Sequence, residues 1–212
     1  VEYRRRLLGK SPRSLAVVDL AAEKAGWGRK LEKGQGLGMS VQEGFGSFLA
    51  TVAQVRVAPD GKLKVERVVC AIDCGVAVNP DIVKAQLMSG VIFGLSAALY
   101  GKVTVANGRI VESNFDSYPV VRMREAPPVE TYIVSSTLDP GGVGEPGTSG
   151  ILPAITNAIF HATGKRIFDL PIGTALPNQS VECHCGCEPQ SCEVPNPPRP
   201  FVVVNRSGCG FE

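Results

Sequence analysis

The sequence predicts an α+β fold: mixed, largely antiparallel sheets with helices packed on them, followed by an irregular C-terminal tail. Three observations carry that expectation. Strand-like stretches come in consecutive pairs joined by Asp60-Gly61 or Asn107-Gly108, the dipeptides of tight antiparallel hairpins. Helical stretches stand between the pairs, so the order is hairpin, helix, hairpin, strand, helix, and not a strict strand–helix alternation. The composition is globular: 44% hydrophobic, 20% charged, net charge +2. It points neither to a disordered chain nor to a nucleic-acid surface. At 212 residues the chain is long enough for one domain, or two small ones, with a real core.

The elements follow in order. The chain begins at Val1 without a methionine or a signal-like segment, which points to a piece of a longer polypeptide. Arg4, Arg5 and Arg6 read as a solvated helix face. Leu15, Val18, Ala22 and Ala25 fall at helical spacing from Ser14 to Ala25, and Gly26 can end that helix. Trp27 beyond the stop reads as a packing anchor. Gly34-Gln35-Gly36-Leu37-Gly38 lacks both the Gly-x-Gly-x-x-Gly spacing and a Lys-Ser/Thr pair, so it reads as a linker and not as a phosphate loop.

Phe45 to Val57 is the first strong strand, with Ala53, Val55 and Val57 alternating with Gln54 and Arg56, and Leu63 to Ile72 returns beside it. Asn79 is placed to cap a helix that begins at Pro80 and runs to about Leu99. Gly90 and Gly94 lie one turn apart on one face of it, where another element can approach closely. Its apolar run from Leu87 reads as too short for a membrane span. Lys102 to Val105 and Arg109 to Val111 form a second hairpin, and Val129 to Val134 one more strand.

That strand feeds Gly141-Gly142-Val143-Gly144-Glu145-Pro146-Gly147-Thr148-Ser149-Gly150. Ser149 is placed to cap a helix from about Gly150 to Thr163, with Gly164 beyond its end and Pro153 near its first turn. Glu145 then stands just ahead of a helix N-terminus, whose partial positive charge favours a carboxylate or a bound anion. It is the one acidic residue whose setting suits a general base. By residue types alone, a surface turn with a solvated glutamate is the better reading, because a Gly-rich turn before a helix is common. The two histidines, His161 and His184, form no Ser/His/Asp arrangement, and His161 reads as a packed or surface residue. No carboxylate pair suggests glycoside hydrolysis. Cys70 and Cys74 read as buried thiols.

Gly-Gly-Val-Gly-Glu-Pro-Gly, then Pro153-Ala154-Ile155-Thr156-Asn157-Ala158-Ile159-Phe160, then Thr163-Gly164-Lys165-Arg166-Ile167 with Leu170-Pro171, resembles the C-terminal end of one family. It is that of the molybdopterin-binding large subunits of the xanthine dehydrogenase and aldehyde oxidoreductase type. The Glu-Pro-Gly form is most similar to the isoquinoline 1-oxidoreductase branch. The resemblance covers roughly the first five-sixths of the chain and fades after about Gly173. It implies a molybdenum–pterin cofactor, in its cytosine dinucleotide form, and 2Fe-2S clusters on a small iron–sulfur partner subunit. It also implies a small-molecule aldehyde or N-heteroaromatic substrate, oxidised with water-derived oxygen, and no protein side chain as metal ligand.

Carried over by motif, Glu145 is the family's general base. Gln86, in the helix after Asp73-Cys74-Gly75 and Asn79-Pro80, faces the pterin, with its amide offering both donor and acceptor. The backbone of Gly141, Gly142, Val143 and Gly144 lies near the same cofactor. Residues 1–175 then form the C-terminal part of the molybdopterin-binding domain, and 176–212 a Cys- and Pro-rich tail expected to be poorly packed. The tail departs from the family: Cys183, His184, Cys185, Cys187, Cys192 and Cys209 do not follow a zinc-knuckle or iron–sulfur spacing. Two other classes stay open: a non-catalytic α+β binding or assembly module that keeps the scaffold without cofactor, and a metal-binding protein acting through the tail.

Overall fold

The structure, a computed structural model, describes residues 1–174 and 176. The expectations placed on the Cys-rich tail lie outside the described residues. Helices α1 (Glu2–Leu7) and α2 (Pro12–Ala25) precede a meander of β1 (Gln35–Gly44), β2 (Ser47–Val57) and β3 (Leu63–Asp73). Then come α3 (Pro80–Tyr100), the small hairpin β4 (Val105–Ala106) and β5 (Arg109–Ile110), strand β6 (Val129–Ile133), and α4 (Pro146–Thr163). The main sheet has the order β1-β2-β3-β6. Its first two pairings are antiparallel and the last, β3 with β6, is parallel.

Both faces of this sheet are covered, which gives three layers. Leu49, Ala53 and Val55 of β2 and Val68, Cys70 and Ile72 of β3 face α3 and α4. Phe48, Ala50 and Val52, with Val69 and Ala71, face Val17, Val18, Ala21 and Ala22 of α2. Strands buried on both faces read as near-continuous apolar runs, as these do. The alternation in β3 slips between Val65 and Val68, which point into the same core. The register explains it: Gln54 pairs with Arg67 and Val55 with Val65, leaving Glu66 as the extra residue of a bulge. The carboxylate of Glu66 accepts bonds from Gln35, Gln54 and Arg56.

The helix ends follow local chemistry. The Asn79 side chain accepts the N–H groups of Asp81 and Ile82, with Pro80 at the first position. Gly26 and Gly164 end α2 and α4 in the left-handed conformation. Trp27 is half-buried against the α2 core. The three arginines are not uniformly solvated. Arg4 is half-buried and donates to the Met39 carbonyl at 3.0 Å, while Arg5 pairs with Asp19 at 2.7 Å.

Three expectations need correction. The glycine-rich stretch around Gly36 and Gly38 is not a linker but strand β1 itself. A Cβ on Gly36 would run into the Ala158 carbonyl and the Ala162 nitrogen, and one on Gly38 into the Ala154 carbonyl and the Ala158 nitrogen. The glycines are there because the α4 backbone lies directly on the strand. Second, α4 begins at Pro146 rather than Gly150, so Ser149 lies inside it and Pro153 is an interior proline. Pro153 is exposed, and so is Ser149, whose carbonyl loses its helical partner; water can serve that carbonyl. Third, α3 at 21 residues is long and apolar enough to cross a membrane by length and composition. Here its face of Leu87, Gly90, Val91, Gly94 and Leu95 is buried. Gly90 lies against Gly147 and Gly94 against Thr148 and Ile151 of α4.

A side chain at Gly38 must push α4 off the sheet. Gly38→Ala should cost about 3 kcal/mol, the upper part of the range for overpacking. Gly44→Ala, with open space around the added methyl, should stay within ~0.5 kcal/mol. Thermal melts of the two variants check this.

Candidate active site

Glu145 occupies the N-cap position of α4, and its side chain makes no capping bond. Its carbonyl accepts the Thr148 N–H at 2.9 Å. The side chain is exposed, and among the described residues it has neither an ion-pair partner nor a hydrogen bond. It faces a cleft of about 570 Å³ lined by Phe45, Ser89, Gly90, Phe93, Gly144, Thr148 and Ser149. That volume falls within the range of small-molecule sites.

The loop ahead of Glu145 is held by backbone bonds to two neighbouring segments. The Gly141 N–H donates to the Cys74 carbonyl at 2.8 Å, and the Gly142 N–H to the Phe45 carbonyl at 2.7 Å. Close approach, not left-handed backbone, is why these are glycines. A Cβ on Gly141 would stand 2.8 Å from the Gly46 backbone, and one on Gly142 would stand 2.8 Å from the Phe45 Cβ. Val143 is half-buried against the α3–α4 core. Gly144 differs from both: nothing lies within 4 Å of where its Cβ would be, so its backbone is open to the cleft.

Gln42, on β1, fastens the first turn of α4. Its amide nitrogen donates to the Pro146 carbonyl, and its amide oxygen accepts the Ser149 hydroxyl at 2.9 Å. Both ends of the amide are used, so its orientation is set by the network. Behind the loop, Arg13 grips Asp73 through two bonds of 2.8 Å each. It also reaches the Gly46 carbonyl at 3.3 Å and stacks over the Phe48 ring at 4.3 Å. Asp73 is buried and also accepts the Gly75 N–H. This one pair therefore ties α2 to the two segments, around Phe45 and around Cys74, that hold the Gly141-Gly142 backbone.

Gln86 is exposed on α3. It stands one turn before Gly90 and two before Phe93, so helical spacing sets it on the strip that continues into the cleft wall. It is not itself one of the residues lining the cleft. The sequence did not mark Phe45, Ser89, Phe93 or Thr148 as site residues. Phe45 had a readable signal, a bulky residue between Gly44 and Gly46, but it reads equally well as the start of the strand. His161 lies away from the cleft, its Nδ1 3.1 Å from the Leu37 backbone on the outer edge of β1. Cys70 and Cys74 are buried free thiols, and burial pushes the Cys70 thiol up to about 12. Among the described residues, no three His, Cys, Asp or Glu side chains gather as a metal site.

The Arg13 guanidinium holds the Asp73 carboxyl below the ordinary carboxylate range. The folded-state value is depressed, so the pair's contribution is full above the unfolded value of about 4 and is lost as pH falls through the lower folded value. Asp73→Asn should cost about 3 kcal/mol near neutral pH, since it leaves Arg13 without its partner. The gap from wild type should hold from about pH 8 to 5 and narrow below about pH 4. Denaturant titrations across that range measure it.

Comparison with known proteins agrees with this architecture. The family model of the molybdopterin cofactor-binding domain matches residues 15–127, more than half of the 212 residues. The isoquinoline 1-oxidoreductase subunit beta of Brevundimonas diminuta is 39% identical over 180 residues, 83% of this chain and 23% of that protein. The membrane-bound aldehyde dehydrogenase (pyrroloquinoline-quinone) of Gluconacetobacter polyoxogenes is 34% identical over 174 residues, 79% of this chain and 22% of that protein. Quinoline 2-oxidoreductase from Pseudomonas putida 86 shares the fold, with a TM-score of 0.57 at 20% identity over 60% of this chain and 18% of that one. The chain thus spans under a quarter of the length of these curated relatives. It belongs to the molybdopterin cofactor-binding domain family.

Proposed function

We propose that this chain supplies the general base and one wall of the cofactor cleft in the catalytic subunit of a molybdenum hydroxylase. In that reading Glu145 is the base, and the enzyme oxidises an aldehyde or an N-heteroaromatic carbon with water-derived oxygen. The observation that carries it is a carboxylate without a partner among the described residues, at the mouth of the Gly141–Gly144 loop, facing a cleft in a chain of this family. The cytosine dinucleotide form of the cofactor, and 2Fe-2S clusters on a small partner subunit, are part of the same proposal.

The residues present fit such a group. Gly144 leaves open space, and among the described residues the N–H groups of Gly144 and Glu145 have no protein acceptor. The start of α4 adds its partial positive charge. These donors and the Gln86 amide suit the polar edge of a pterin. When bound, the cofactor supplies metal activation of water and the two-electron redox step.

The chain's own residues do the rest. A Glu145 carboxylate oxygen accepts the proton released as the oxygen nucleophile forms, then returns it to solvent through the open cleft. Gln42, by fixing the Pro146 carbonyl, keeps that carboxylate at the cleft mouth. Gly141 and Gly142, fastened to Cys74 and Phe45, hold the loop so that no reorganisation is needed when substrate arrives.

In the intact protein, Glu145→Gln keeps size and removes the proton acceptor. Molybdenum content should stay near normal while cofactor reduction by substrate slows at least ~10²-fold, with the acidic limb of the pH profile altered. A fully loaded variant reduced at the wild-type rate refutes the role. The Gluconacetobacter relative is named for a different redox group, and molybdenum and quinone analysis of the same preparation separates the two cofactors.

Gln86→Leu tests the second contact. Loss of a paired amide is worth roughly 1–3 kcal/mol, so pterin retention on dialysis should weaken about fivefold or more. Unchanged retention would remove Gln86 from the cofactor's surroundings.

A further inference from the structure

We propose that Phe45 is a specificity-determining residue of the Glu145 cleft. Its ring, displayed on a strained hairpin turn, forms an aromatic wall that selects planar N-heteroaromatic rings over open-chain aldehydes. The proposal rests on the reading of the cleft as the place where substrate meets Glu145.

Two hairpin turns of the molecule share one backbone geometry. Phe45 and Gly46, with φ of 58° and 76°, form the two-residue turn between the paired residues Gly44 and Ser47. Asn107 and Gly108, with φ of 51° and 74°, form the corresponding turn between β4 and β5. Positive φ at both central positions is the geometry for which Asn-Gly is preferred, because asparagine tolerates the left-handed region. The second hairpin follows that preference. The first places a bulky aromatic residue where such side chains are true outliers.

Among the described residues, packing does not account for the choice. The Phe45 ring is 67% exposed, so it is not an anchor of either core. What distinguishes it is position: it lines the cleft that Glu145 faces. The strain is held in place from three sides. The Phe45 carbonyl accepts the Gly142 N–H, Gly142 has no Cβ to collide with Phe45, and Arg13 binds the Gly46 carbonyl. A costly backbone conformation kept by its surroundings, at the edge of a reactive carboxylate, is the pattern of strain retained for function.

The same cleft holds a second ring. Phe93 of α3 is 71% exposed and lines the same cleft. Two aromatic side chains and one carboxylate on a cleft of this size suit a flat ring, whose face stacks on an aromatic wall in a way an alkyl chain cannot match. Ser89 and Thr148 add hydroxyls that can bond a ring nitrogen.

The test uses the intact protein and three variants. Phe45→Leu keeps apolar bulk and removes the ring, Phe45→Tyr keeps the ring, and Phe45→Asn removes both ring and strain. Isoquinoline binding is measured by calorimetry, and kcat/KM for isoquinoline is compared with that for propanal. The Leu and Asn variants should bind isoquinoline about fivefold to tenfold more weakly, and the isoquinoline-to-propanal ratio should fall by a similar factor. Tyr should restore both to within about twofold, Asn should melt no lower than wild type, and molybdenum content should be the same in all four proteins.

An unchanged ratio in the Leu variant overturns the proposal. So does a fall in molybdenum content shared by Leu and Asn, which would give Phe45 to the cofactor or the fold. If the wild-type protein fails to bind isoquinoline, the proposal is overturned regardless of turnover. If Glu145→Gln turns over normally while the Phe45 variants still lose isoquinoline, the catalytic reading fails and the aromatic wall stands.

Discussion

The contact on which the rest of the structure depends is the seating of α4 on β1. Gly36, Gly38, Ser40 and Gln42 are alternate residues of one strand and share one face. In order they meet α4 near Ala158 and Ala162, near Ala154 and Ala158, at Gly150, and at Pro146. Each step of two strand residues advances roughly 6.6 Å, and each step of four helical residues roughly 6 Å. The two periods nearly coincide, so strand and helix stay in register from one end of α4 to the other. Where the gap is narrowest the strand carries glycine, and where it widens it carries Ser40 and then Gln42, whose side chains bond the helix carbonyls. Glu145 is the next residue beyond the last of these contacts. Its position is thus set by a register that begins at the far end of the helix.

The other side of α4 obeys the same constraint. Gly90 and Gly94 of α3 let the two helix backbones cross at close range, with Gly147 completing the contact. Close backbone approach thus replaces side-chain packing on the α3 flank of the first half of α4 and on the β1 flank of its second half. Further along, Ile151, Ile155 and Ile159 reach the core against the sheet and α3. The helix is therefore wedged as well as packed, which is what a carboxylate at its end requires if its direction is to be fixed.

Much of the fold was legible because its signals are local. Asn79-Pro80, Gly26, Gly164 and Asn107-Gly108 state their helix ends and turns in two or three residues, and β2 and β3 state theirs by composition. Elements fixed by distant partners were harder to read. Gly36 and Gly38 look like loop glycines until α4 lies on them. The start of α4 looked later than it is because Gly147 is a poor helix former and Ser149 offered itself as a cap; Gln42 and the α3 crossing hold the earlier turn. The parallel pairing of β6 had no signal in its own five residues. In the site, Glu145 and the glycines before it stood out through their motif. Phe45, Phe93 and Ser89 did not, because each becomes a wall residue only when the hairpin tip, α3 and the loop converge.

Sheet order also governs the sequence of assembly. β1, β2 and β3 are joined by short turns, so the meander closes with little loss of chain entropy, and α2 is near in sequence to cover one face. β6 must find β3 across the whole of α3 and the β4–β5 hairpin, and only then can the Gly141-Gly142 backbone reach Cys74 and Phe45. Non-local pairings of this kind form late. Among the described residues, the contacts that complete the Glu145 cleft are therefore expected to form after the meander, an order that pulse-labelling hydrogen exchange would test. The same contacts are the first to open when stability falls, because a loop fastened by two backbone bonds lies at the low end of local stability. A mildly destabilised chain would keep its meander and its α2 face while its carboxylate lost its address.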